Sequence, residues 1–140
     1  MRKSFEFRVA KTIPEKRLVF GWASVVAKGS IGAREMVFDR QDDAIDIEAL
    51  ADAVHEYVKS GRHGGGDMHL KKGCARLVAS VVLDDAIQRA LGIDCGQTGW
   101  FVGFELDLDT YALVKSGQRS AFSISGSAIR VPYETWAKEA

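Results

Sequence analysis

Trp100, Val102, Phe104 and Leu106 alternate with Phe101, Gly103 and Glu105. A two-residue period sends the two sets to opposite faces of an extended chain, so this stretch can only bury its apolar side as a strand. The same period recurs elsewhere. Phe5, Phe7 and Val9 alternate with Glu6 and Arg8 at the start, and Phe122, Ile124, Gly126 and Ala128 alternate with Ser123, Ser125 and Ser127 near the end. Arg17 to Ala27 is rich in β-branched and aromatic residues, with Gly21 a bulge or close-approach point, and the polar turn Pro14-Glu15-Lys16 joins it to the first strand as a hairpin. Ala75 to Leu83 is almost continuously apolar and reads as an interior strand buried on both faces. Gly29 to Gly32 is a loop, Glu35 to Phe38 a short extended piece and Asp39 to Asp43 an acidic turn.

Helical periodicity breaks this pattern. Ile47, Leu50, Ala51, Val54, Tyr57 and Val58 share one face at 3.6-residue spacing, with Asp46 as N-cap and Gly61 after the end. His55 flanks that stripe, a surface or packing position. Asp84 and Asp85 open a shorter helix that Gly92 ends, Asp109 to Ser116 form another closed by Gly117, and residues 132–140 form a short terminal helix. Strands outnumber helices. The expected fold is a β-dominated α+β domain spanning residues 1–140, an antiparallel or mixed β-barrel of about six or seven strands with two or three peripheral helices.

Composition narrows the function. Lys plus Arg and Asp plus Glu both number 19, so no global field draws the chain to nucleic acid or an anionic membrane. No apolar stretch approaches a bilayer span and Met1 to Glu6 lacks a signal-peptide core, which together predict a cytoplasmic protein. Cys74 and Cys95 form no disulfide framework and read as small, partly buried hydrophobes.

The residues with chemistry to offer are His69 and Ser123. A serine hydroxyl needs an adjacent base and donors for the oxyanion that forms on attack. His69 follows Gly64-Gly65-Gly66 and Asp67-Met68, and Ser123 lies on the last strand, where Ser125 and Gly126 allow close approach of a substrate and an oxyanion to backbone N–H groups. The third group that would orient the imidazole is Asp67, Glu105 or His63. His63, Asp67 and His69 also offer nitrogen and oxygen ligands, but their spacing matches no zinc motif, and no metal or other cofactor is expected. The acidic run Asp39, Asp42, Asp43 and Asp46 lacks the glycine and glutamate of an EF-hand, and Gly64 to Gly66 lacks the lysine of a phosphate loop.

Several blocks recur in an order that resembles the XkdF-like serine proteases of phages. They are Lys16 to Val25, Asp39 to Asp43 with the helix from Ile47, Gly66 to His69, Ala75 to Val78, Ala90 to Asp94, Gly99 to Phe104, and Lys115 to Gly117 with Ala121 to Gly126. The resemblance covers residues 12 to 130. That family is similar to the phage prohead proteases and, in fold, to the herpesvirus assembly proteases, built on a β-barrel ringed by helices.

The resemblance implies a capsid-maturation endopeptidase in which Ser123 is the nucleophile and His69 its general base. It implies scaffold and internal capsid proteins as substrates, cleavage of the enzyme itself, work inside assembling proheads in the host cytoplasm, and a homodimer or higher assembly. Herpesvirus relatives use a second histidine after the serine, and none follows Ser123 here. Relatives carry glutamate where this chain has Ala79 and glycine where it has Ser125. Those departures also fit a slow or inactive relative that binds scaffold or capsid protein without cutting it. The chain ends soon after the serine strand, as a trimmed protease domain would.

Overall fold

The computed structural model describes residues 5–38, 45–60, 75–118 and 121–124. Over these residues the chain is α+β, with three α-helices and an antiparallel sheet. The first hairpin is as the sequence predicts: β1 (Phe5–Ile13) turns through a short 3-10 segment at Pro14–Lys16 into β2 (Leu18–Lys28). A bulge at Ala10, between Val9 and Lys11, lies beside Gly21, where a Cβ would collide with the Arg8 carbonyl oxygen. Only glycine admits that close approach.

The remaining strands are β3 (Glu35–Met36), β4 (Ala75–Leu83), β5 (Gln97–Leu106) and β6 (Ala121–Ile124). The order across the sheet is β4-β5-β2-β1-β6, with β3 paired to the end of β2. Among the described residues no ladder joins β4 to β6, so the described sheet is open. It buries one face against helices. From α1 (Ile47–Ser60), Leu50, Val54 and Tyr57 enter the core with Phe7, Val19, Trp100, Val102 and Phe104. Tyr57 meets Trp100 edge-on at 5.7 Å and Phe7 meets Phe104 edge-on at 5.5 Å. Each such buried side chain stabilises the fold by about 1.5–3 kcal/mol relative to exposure. Among the described residues no helix is long and apolar enough to cross a membrane.

The helix termini follow local chemistry. Asp46 Oδ2 accepts from Ala49 N at 3.2 Å, and Asp84 Oδ1 accepts from Ile87 N at 2.8 Å to open α2 (Asp85–Leu91), which Gly92 ends in the left-handed region at φ +70°. The third helix, α3 (Leu108–Lys115), lies one residue earlier than the expected Asp109 to Ser116. Asp107 caps it, accepting from Thr110 N at 2.8 Å.

Three further expectations are corrected. The strand Ala75–Leu83 is not buried on both faces: among the described residues β4 ends the sheet order, and Val78 and Val81 are 49% and 37% exposed. An apolar run reports residue type and not sheet position, and α1 covers only one face. Cys95 is exposed, because it sits in the tight connection between α2 and β5 rather than in the core. The strand around Trp100 is longer than its alternation from Trp100 to Leu106: it begins at Gln97, and Thr98 and Gly99 pair with Ala27 and Val25. Cys74, Gly126 to Ala128 and the terminal helix at 132–140 lie outside the described residues.

Candidate functional site

Of the predicted site residues, Ser123 and Glu105 lie on described strands. Ser123 is in β6, opposite Glu6 of β1, with Phe122 opposite Phe7. The ladders give its level across the whole sheet. Ala121, Arg8, Trp22, Phe101 and Val81 form one continuous row, and Ser123 stands two residues further along β6. Its level is therefore that of the C-terminal end of β4.

Glu105 belongs to the opposite end. It sits on β5 in the row Arg76, Glu105, Leu18, Ile13, half-buried and beside the start of β4. The ladders do not bring Glu105 and Ser123 together. His63, Asp67, His69, Ser125 and Gly126 lie outside the described residues, and so does any metal set drawn from the first three. Among the described residues no three His, Cys, Asp or Glu side chains are grouped to hold an ion.

A groove of about 570 Å³ lies where α1 and the start of α2 flank the C-terminal half of β4. Val54, Val58, Val81 and Ile87 give it an apolar floor, and His55, Ser80 and Asp84 also line it. These last three residue types could suggest a triad, but two of them are already committed. Ser80 Oγ accepts from Trp100 Nε1 at 2.9 Å, and Asp84 caps α2. Sequence reading passed over the groove because its walls come from three segments that no single period connects.

A second polar cluster also escaped it. Gln88 is fully buried, and its Nε2 donates to the Leu83 and Gln97 carbonyls at 2.9 and 2.8 Å. Its Oε1 accepts from Cys95 N at 2.8 Å and from Arg34 Nη2 at 3.0 Å. Arg34 further donates to Asp85 Oδ1 at 3.1 Å, to Asp94 Oδ1 at 3.2 Å and to the Gly29 carbonyl. Asp94 accepts from the backbone N–H of Gly96 and of Ile31, which together with the Arg34 charge hold its carboxyl below the usual carboxylate range. Each of these side chains holds others in place, so the cluster fastens two loops together.

Comparison with protein-family models, with curated proteins and with solved structures returns no match to the chain.

Proposed function

We propose that the chain is a serine endopeptidase of phage prohead maturation. Ser123 attacks a scaffold peptide carbonyl, His69 takes the hydroxyl proton and passes it to the leaving amine, and water hydrolyses the acyl-enzyme. The resemblance of the ordered sequence blocks supplies this chemistry. The observation that carries it is that Ser123 lies on the strand at one end of the sheet order, while the strand at the other end, β4, directly follows the His69 segment.

The distances set a condition. Four strand steps separate β4 from β6, about 19 Å if the sheet were flat. A dyad therefore requires the sheet to curl until the two end strands approach, which is the barrel that the resemblance implies. Along the strand the requirement is milder. The link from His69 to Ala75 reaches up to about 20 Å when extended, the same as the length of β4 from Ala75 to Val81. His69 can thus come to the level of Val81, two residues short of the level of Ser123. The groove beside Val81 is at that level too and offers an apolar bed for a substrate side chain.

Ala79 favours a second reading, a catalytically inactive relative that binds scaffold or capsid protein. It lies opposite Gly103 in a row with Phe20 and Lys11, at the position where relatives carry glutamate. Co-expression with the cognate scaffold separates the two. Ser123→Ala and His69→Ala should each abolish scaffold cleavage with unchanged thermal melting. Unchanged processing by Ser123→Ala overturns the protease reading, and scaffold binding without cleavage by the native chain establishes the inactive one.

A further inference from the structure

The second helix, α2, is amphipathic in the reverse sense. Its one buried residue is the amide Gln88, while Ile87 is 38% exposed, Leu91 61% and Ile93, just past the Gly92 cap, 44%. Ala86 and Ala90 are exposed as well. A surface helix ordinarily turns its aliphatic side chains to the core and its polar ones to water. Rotating α2 into that arrangement would pull Gln88 from the backbone groups of Leu83, Gln97 and Cys95 and from Arg34, which also holds Asp85. Each group left buried without a partner is penalised, so the polar cluster keeps the apolar stripe turned outward.

The stripe continues across the groove, which Ile87 lines together with Val58 of α1, itself 39% exposed. At these exposures the aliphatic residues present on the order of 400 Å² of apolar surface, the size of a functional patch on a monomer. If such a patch met its own copy, at the roughly 57% apolar share of ordinary interfaces, the contact would bury about 1,400 Å² in all, enough for a specific dimer. Charge suits the same partner. Asp84 and Asp85 stand at the start of α2, and the exposed Arg89 is in its last turn. Each carboxylate has one oxygen engaged within the chain and a second that can accept. Two copies packed antiparallel bring the basic turn of each toward the acidic start of the other, and both use one patch, as two-fold symmetry requires.

We propose that a second copy of this chain covers α2, the Ile87, Leu91 and Ile93 surfaces of the two copies packing antiparallel about a two-fold axis. The proposal rests on this surface and is independent of Ser123.

Sedimentation velocity of the full chain tests it, and the dimer should fill as concentration is raised from about 1 to 300 μM. Leu91→Lys, which sets like charges together across the axis at a position mostly in water in the single chain, should raise the dissociation constant about tenfold or more. Its melting at concentrations where the native chain is monomeric should equal the native value. Ile93→Ser should weaken the dimer in the same direction, and Arg89→Glu should do so by about threefold to tenfold. Backbone amide exchange at residues 86–93 should slow as the native chain is concentrated, and should not in Leu91→Lys. A native chain that stays monomeric at every concentration overturns the proposal and leaves the stripe to a different chain. Dimerisation that Leu91→Lys and Ile93→Ser both leave at native strength overturns its placement on α2.

Discussion

Arg34 Nη2 donates to Gln88 Oε1 at 3.0 Å across 54 positions of sequence, joining the loop after β2 to a fully buried amide on α2. Gln88 makes four hydrogen bonds, and three of its partners are backbone groups of Leu83, Cys95 and Gln97. Gln88→Leu keeps the volume but removes all four. Leaving several buried polar groups without partners should destabilise the fold by about 3 kcal/mol or more. A chemical denaturation midpoint for Gln88→Leu equal to the native one would show that the cluster contributes nothing.

Asp94 makes the same cluster sensitive to acid. Backbone donation from Gly96 is the largest cause of its lowered pKa, followed by Ile31, with Arg34 adding to both. A carboxyl with a depressed folded pKa binds its proton less readily when folded than when unfolded. Its contribution is therefore full above the unfolded value of about 3.9 and is lost as pH falls through the lower folded value. Thermal melting should drop as pH is taken from 7 to below about 4. Asp94→Asn should melt lower than the native chain at pH 7, with the gap closing in acid. A gap that stays constant with pH would rule out this linkage.

Gly103 predicts a steric coupling. Its virtual Cβ meets the Phe20 ring at 2.5 Å and Ala79 Cβ at 3.4 Å. Gly103→Ala forces the ring aside and should cost about 1–3 kcal/mol, as overpacking does. In a Phe20→Leu background the same change should cost much less. Additive effects in that double-mutant cycle would mean that Phe20 is not what makes glycine necessary.

How far the sequence could be read depended on the range of each interaction. The hairpin of β1 and β2, the helix from Ile47 and the turn from Asp84 to Gly92 were legible because caps, turns and side-chain periods act over a few residues. The end position of β4 was not, since Val78 and Val81 look the same in an interior strand and an end strand. Nor was the Arg34 and Gln88 cluster, because neither residue carries a local signal for a partner so far along the chain. Ser123 was correctly assigned to a strand. Its register against Glu6, and with it the separation from Glu105, depends on strand order, which alternation leaves open.

Ser80 and Ser123 should separate in their effects. Ser80 Oγ accepts the indole N–H of Trp100, whose side chain is fully buried, so Ser80→Ala leaves that donor without this acceptor and should cost about 1–2 kcal/mol. It should leave scaffold cleavage intact at temperatures well below melting. Ser123→Ala should do the reverse, abolishing cleavage with no loss of stability. The comparison matters because His55, Ser80 and Asp84 line one groove and offer the residue types of a triad. If Ser80→Ala abolished cleavage in a chain that still melts cooperatively, the nucleophile would belong to that groove, and Ser123 would be one more serine on a strand.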